Sequence, residues 1–297
     1  MGVRAGTVLA TLACAAAAPS AAAASVPLPE PLPALEAKLA QLPVTSAKLS
    51  LDESVTGPGS AGAQGPFGVF GASGAHAAAS AALASLSLEL SFSEQKASFA
   101  GQLIGIPVEG RVLAGEAYVK SPFTSAIDGG RPWVASPVKP GGLGGELAGS
   151  PAATLGVSKT FARAQSIQVL PPRTIGATPT TGFAAVVPTD SGETSMLASP
   201  SLGKLVRPTA RFEAFLSEEG VPVLTKLTLR LRRKRYAGFS LIVETKIDWL
   251  NQPIAAVVAP PASETITEAQ LSRLLNPASH HRHKRRRHTA AAKKPPA

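Results

Sequence analysis

Between residues 211 and 261 apolar and polar side chains alternate along the chain. Leu227, Leu229 and Leu231 alternate with Thr228, Arg230 and Arg232. Past a turn at residues 237–238, Leu241, Val243, Ile247 and Trp249 alternate with Ile242, Glu244, Lys246 and Asp248. A period of two sends one set to a buried face and the other to water, so the segment predicts β-strands and not helix. Three consecutive strands and a proline stop are expected, the last two strands forming a hairpin and residues 217–220 the turn before it.

A second alternating block runs from 84 to 137. Leu86, Leu88, Leu90 and Phe92 alternate with Ser87, Glu89, Ser91 and Ser93, and glycines at 101, 105, 110 and 115 fall at turn-like spacing. This predicts a meander of short antiparallel strands closed by a strand at Trp133–Val134. Ahead of it, residues 34–41 carry Leu35 and Leu39 at helical spacing, and residues 44–56 alternate as a first strand. Between the blocks the pattern predicts a modest helix over 152–164, strands over 165–169 and 182–187, and a short helix within 191–205. Residues 262–275 predict a closing helix, with Ser263 and Thr265 offering capping oxygens and Leu271, Leu274 and Leu275 an apolar stripe.

Composition then divides the chain. Residues 1–24 read as a signal peptide, with Arg4 before a short apolar run and alanines at 22–24 for cleavage. The run is shorter than the roughly 20 residues a bilayer span needs. Residues 25–33 form a proline-rich linker, 34–276 the folded domain, and 277–297 a disordered basic tail. Cys14, the only cysteine, has two readings: a lipidated lipobox residue, or a passenger lost with the signal. Thr11 stands where a lipobox usually has leucine. Residues 57–82 are rich in Gly, Ala and Ser and predict a long loop. Phe67 and Phe70 are its bulky exceptions, either a lid at a cavity mouth or casual packing.

The net charge of +10 belongs mostly to the tail, where Arg282, Lys284, Arg285, Arg286, Arg287, Lys293 and Lys294 are unaccompanied by any acid. Without those seven and Arg4 the body carries about +2, so the charge says little about the domain's own partner. The tail's expected partner is an anionic membrane or wall surface, with a solvated tail as the plainer alternative. No aromatic residues are interleaved with its cations for stacking on bases, so nucleic acid is not an expected partner.

The chemistry inventory excludes more than it offers. His76 is the body's one histidine, and neither a nucleophile elbow nor a phosphate-binding loop is present. No base–nucleophile pair and no His/Cys ligand cluster can be drawn, so the reading is a non-catalytic protein with no metal and no cofactor. The tail histidines His280, His281, His283 and His288 are surrounded by cations that repel a metal ion.

Several strand phrases resemble a family. FSEQKASFAGQLIGIPVEGRVLAGEAYVKSPF followed by RPWVASP resembles the central hairpins of LolA-like bacterial envelope proteins, and most nearly the actinobacterial LppX/LprG-type lipoproteins. Tyr118, Val119, Lys120, Pro122, Trp133 and Val134 match a Tyr-Val-Lys-x-Pro phrase and the Trp-Val strand after it. SIQVLPPRTIGATPTTGFAAVVP is similar to the family's next strand pair, with Phe183 where a tyrosine is usual. RFEAFLSEEGVPV carries Phe215, Gly220 and Pro222 of the following hairpin, with Ser217 in place of Asp. WLNQPIAAVVAPP carries Pro253, Pro260 and Pro261 of a closing strand.

The resemblance spans about residues 30–275. It implies a mainly β (α+β) fold: a single curved antiparallel half-barrel sheet, its concave face closed by helices around an apolar cavity for acyl chains. The insert at 57–82 is longer than the family's usual first loop.

Together these readings describe an exported protein of the cell envelope or outside it. It is a monomer, membrane-anchored if Cys14 is lipidated, and it binds or carries a lipid or acylated molecule. The alternative is an envelope protein-binding or sensor module with a collapsed cavity. The expected lining is Leu88, Leu90, Phe92, Tyr118, Trp133, Leu229, Leu231, Val243, Ile247 and Trp249, with the cluster from Arg230 to Arg235 facing outward. Period two does not decide which of the two faces is the concave one.

Overall fold

In the computed structural model, residues 27–57, 81–128, 130–138, 151–189, 206–232 and 238–275 are described. Their strands join into one open sheet in the order β12-β6-β5-β4-β3-β2-β1-β11-β10-β9-β8-β7. The strands are β1 Ser46–Thr56, β2 Ala81–Ser91, β3 Lys96–Leu103, β4 Ile106–Leu113, β5 Glu116–Lys120 and β6 Trp133–Pro137. They continue as β7 Ser166–Ile175, β8 Thr178–Pro188, β9 Val206–Leu216, β10 Pro222–Leu231, β11 Ser240–Leu250 and β12 Thr265–Thr267. All pairings are antiparallel except β12 with β6. The expected meander and hairpins are therefore present, and β1 joins them at the centre by pairing with β2 on one side and β11 on the other.

Among the described residues five helices accompany the sheet: α1 Pro31–Gln41, α2 Pro122–Asp128, α3 Pro151–Leu155, α4 Ser158–Phe161 and α5 Glu268–Leu275. Helix α1 starts inside the stretch read as a linker. Proline is tolerated in a first turn because the N–H it lacks has no helical partner there. The single helix expected over 152–164 is two short ones, parted at Gly156 and Val157. Helix α2 has no counterpart in the periodicity reading. The cap of α5 is Thr267, not Ser263 or Thr265: its hydroxyl accepts the Gln270 N–H at 3.2 Å while Gln270 Oε1 accepts the Thr267 N–H at 2.8 Å. The helix expected within 191–205 lies outside the described residues.

The main core lies under α1, α3 and α4. Leu32 and Leu35 of α1 and Phe161 of α4 pack on Phe183, Ala185, Val187, Ala214, Leu227, Leu229, Leu241 and Val243. Leu155 of α3 joins Ala47, Leu250 and Ile247. The turn after β9 lets α1 approach. Gly220 has φ +81, and a Cβ there would come within 1.8 Å of Leu35 O, so glycine is required twice over. Lys38 Nζ donates to Glu218 O across the same gap. Glu36 accepts from the Ser158 hydroxyl and from backbone N–H groups of Val157 and Ser158, which ties α1 to α4. Its burial nevertheless raises the carboxyl above its ordinary range.

At the far end α5 packs on the same face, where Leu271 joins Val134 and Ile266, and α2 contacts both α5 and β6. Irregularities in five places between neighbouring strands bend and twist the sheet. Its edges are the three-residue β12 and β7, whose Pro171 and Pro172 offer no N–H for a further strand.

Candidate functional site

Register assigns every strand residue to one of two faces. Cross-strand partners share a face, so Leu88, Leu49 and Phe99 lie together, as do Val243, Leu227 and Phe212. Among the described residues, α1, α3, α4 and α5 pack on this face. Of the ten side chains expected to line a cavity, seven lie on it: Leu88, Leu90, Phe92, Leu229, Leu231, Val243 and Ile247. Three do not.

Tyr118 pairs with Arg111, and Trp133 pairs with Lys120, on the outer face. Trp133 is only 3% exposed because the Arg111 guanidinium stacks 4.7 Å from its ring centroid and Lys120 Nζ lies at 5.5 Å. An extended strap between Leu250 and the 3-10 turn Ala262–Glu264 crosses that face from β11 to β12. Arg111 Nη1 donates to Val258 O at 3.0 Å, and Val257 and Pro260 are buried beneath it. This strap is the segment read as a closing strand; it pairs with none. Tyr118 donates to Glu116 Oε2 at 2.5 Å, which raises the phenol's pKa.

Trp249 changes face for a different reason. Leu49 pairs with Ile247 but Lys48 pairs with Trp249, so β11 holds one residue more than β1 at this point. The bulge carries Trp249 to the outer face, beside the Lys48–Glu89 ion pair. Arg230 lies outward opposite Ser240, as expected, and Arg232 is exposed; residues 233–235 are outside the described residues. So are Cys14, Phe67, Phe70 and the tail.

The seven inner residues do not share one environment. Leu229 and Val243 belong to the closed core and Leu90 is 2% exposed beside Ala97 and Val112. Leu88 differs. It lies in a cross-strand row, Leu49–Leu88–Phe99–Gly110–Val119–Val134, with a second row, Leu51–Leu86–Gly101–Val108, alongside. Leu86, Leu88, Val108 and Val119 are all half-buried, forming an aliphatic floor between the two groups of helices. Two glycines belong to it. The Phe99 ring lies where a Gly110 side chain would stand, and a Cβ on Gly101 would strike the β2 backbone at Ser85 O.

A carboxylate also lies on the inner face, among its aliphatic side chains. Glu53 pairs with Val243 on one side and Ala84 on the other, so its strand neighbours are aliphatic. Desolvation raises its carboxyl above the ordinary range. On the outer face Glu109 behaves in the opposite way. Burial opposes its ionisation, but Arg111 at 2.8 Å and Lys120 at 3.4 Å outweigh burial and hold it below that range.

Leu49, Leu51, Leu86, Val108, Val119 and Glu53 are the floor residues that the sequence reading did not select. Alternation puts Leu86 on the same face as Leu88, but nothing in the period says where the helices stop. A cleft of about 540 Å³ lies elsewhere, lined by Glu116, Ala135, Ser136, Pro137, Thr267, Glu268, Ala269 and Ser272. Among the described residues no three His, Cys, Asp or Glu side chains gather as metal ligands, and no helix is long and apolar enough to cross a membrane.

No protein-family model matches this chain, and no curated protein sequence does. Solved structures do match. The lipoprotein LppX of Mycobacterium tuberculosis is similar over 75% of this chain and 98% of its own, at 14% identity and a TM-score of 0.42. LprF of Mycobacterium bovis is similar over 80% of this chain and 99% of its own, at 11% identity and a TM-score of 0.46. A LolA superfamily protein of Nitrosomonas europaea is similar over 74% of this chain and 94% of its own, at 9% identity and a TM-score of 0.27.

Proposed function

We propose that this is an exported cell-envelope protein that binds or carries a lipid or lipidated molecule on the helix-bearing face of its sheet, without catalysis. The observation that supports this reading is the floor of Leu86, Leu88, Val108 and Val119, apolar yet incompletely covered. Transfer of an acyl chain onto such a surface gains about 0.8 kcal/mol for each methylene removed from water. The protein acts as a monomer, with Phe67 and Phe70 as a lid over the acyl chain and the tail cations against an anionic surface.

Native mass spectrometry of protein purified from its own host, with uptake of a fluorescent fatty acid, tests the reading. Co-purifying lipid is expected, and Leu88→Arg is expected to reduce uptake at least tenfold while leaving the melting temperature nearly unchanged. Protein that is lipid-free and takes up no probe sinks it. A second reading, a protein-binding module whose cavity is collapsed, draws on Leu90, Leu229 and Val243. These three expected lining residues are in closed cores. It predicts a Leu88→Arg variant indistinguishable from wild type in uptake.

A further inference from the structure

Four of the seven large apolar side chains that are exposed among the described residues stand on two short helices that pack on one another. On α2, Phe123 is 50% exposed and Ile127 stands one turn later. On α5, Leu271 is buried against Val134 and Ile266, while Leu274 and Leu275 continue the same stripe at i+3 and i+4. They are 46% and 41% exposed. The stripe thus begins in the core and runs out into solvent at the last turn, where a soluble helix would ordinarily turn polar.

The chain beyond Leu275 bears on what this surface meets. Residues 276–297 hold seven lysines and arginines and no acid. An apolar patch with a cationic segment issuing from its rim matches the two-part requirement for binding an anionic bilayer. Side chains enter the headgroup boundary while cations meet the lipid charge, each contribution being weak alone. A second copy of this chain fits less well, because pairing the two patches would bring two such cationic segments together.

We infer that the exposed faces of α2 and α5 are a membrane-docking surface, and that it binds anionic bilayers in concert with the cationic residues after Leu275. The surface lies over the Val119–Val134 end of the floor. Docking would therefore present that end to the bilayer. The inference holds whether or not the floor carries lipid, and vesicle binding is read separately from probe uptake.

Co-sedimentation of the full chain with vesicles tests it. One set is phosphatidylcholine and the other phosphatidylcholine with phosphatidylglycerol at three to one. Binding to the anionic vesicles is expected to exceed that to the neutral ones by about tenfold or more, and to weaken with salt. Phe123→Ser, Ile127→Ser, Leu274→Ser and Leu275→Ser combined should reduce anionic binding about tenfold at unchanged charge, and a chain ending at Leu275 should lose as much. The apolar replacements Phe123→Leu, Ile127→Val, Leu274→Met and Leu275→Met should bind like wild type, which separates loss of insertion from loss of fold. Anionic binding that survives the serine set means the cations act alone and overturns the inference. So does equal binding to neutral vesicles, or a wild-type dimer that the serine set converts to monomer.

Discussion

The two halves of the sheet start from the same alternation and end differently. Over β8–β11, three aromatic rings close the inner face: Phe161 meets Phe183 and Phe212 edge-on, with centroids 6.0 and 5.4 Å apart. Leu32 and Leu35 complete that layer from α1. Over β2–β5, glycines stand at 101 and 110 on the same face, and the aliphatic side chains between them stay half-buried. The outer faces contrast as well. Beyond β11 the outer face is a solvated ladder of ion pairs such as Lys226–Glu244 and Arg211–Glu213. Over β4–β6 it is roofed by the strap, with Trp133 beneath. Coverage, not pattern, separates the halves.

The largest effect that can test this difference is loss of a ring from the closed half. Phe183 is fully buried, and Phe183→Ala should cost about 3–5 kcal/mol through lost transfer energy and the cavity left behind. Leu88→Ala, on the floor, should cost less than about 2 kcal/mol because part of the side chain is already in water. Urea unfolding of both variants measures the contrast. A Leu88 cost equal to that of Phe183 would mean the floor is packed shut, and would remove the surface on which lipid binding is proposed.

Much of the fold was legible because strands with one dry face must alternate. The 84–137 meander, the β10–β11 hairpin and the outward Arg230 all obey that constraint. The sidedness of single residues was not legible. Trp249 continues the alternation on paper, but one extra residue in β11 reverses it, and such a bulge leaves no mark in a hydrophobic pattern. Tyr118 and Trp133 are apolar enough for a cavity, yet Val119 and Val134 between them took the inner positions. A tryptophan can also be buried on an outer face when arginine, lysine and a strap cover it. The strap itself alternates too weakly to reveal that it crosses over strands instead of joining one. Helix α2, seven residues long, was too short for a periodicity to register.

Glu53 gives a smaller and more selective test of the inner face. A carboxyl whose folded-state pKa is raised binds more protons folded than unfolded in the pH range above about 4.3, the ordinary glutamate value. Stability from this group is therefore fully present below that value and is lost as pH rises through the raised folded pKa. Glu53→Gln should stabilise the protein at neutral pH, with the advantage disappearing towards pH 4. The difference in unfolding midpoint between variant and wild type isolates Glu53 from Glu36, which is raised too, and Glu109, which is lowered. Midpoints that stay parallel across pH would place Glu53 in water and not against Ala84 and Val243.

The smallest expected effect concerns the two tryptophans, and it sharpens the assignment of faces most directly. The chain has two, Trp133 and Trp249, and both lie on the outer face, with the sheet between them and the floor. Trp249→Phe should change stability by less than about 1 kcal/mol, since the side chain joins none of the core clusters. It should leave fatty-acid uptake unaltered. Bromine quenches indole emission at contact, so a brominated fatty acid that binds on the floor should leave the emission of both tryptophans nearly intact. Leu88→Arg should abolish its binding all the same. Strong quenching that disappears in Trp249→Phe would put the acyl chain beside Lys48 and Glu89, on the ion-paired face. A lipid there would displace Leu86, Leu88, Val108 and Val119 from the proposal and make the bulge in β11 the device that builds the site.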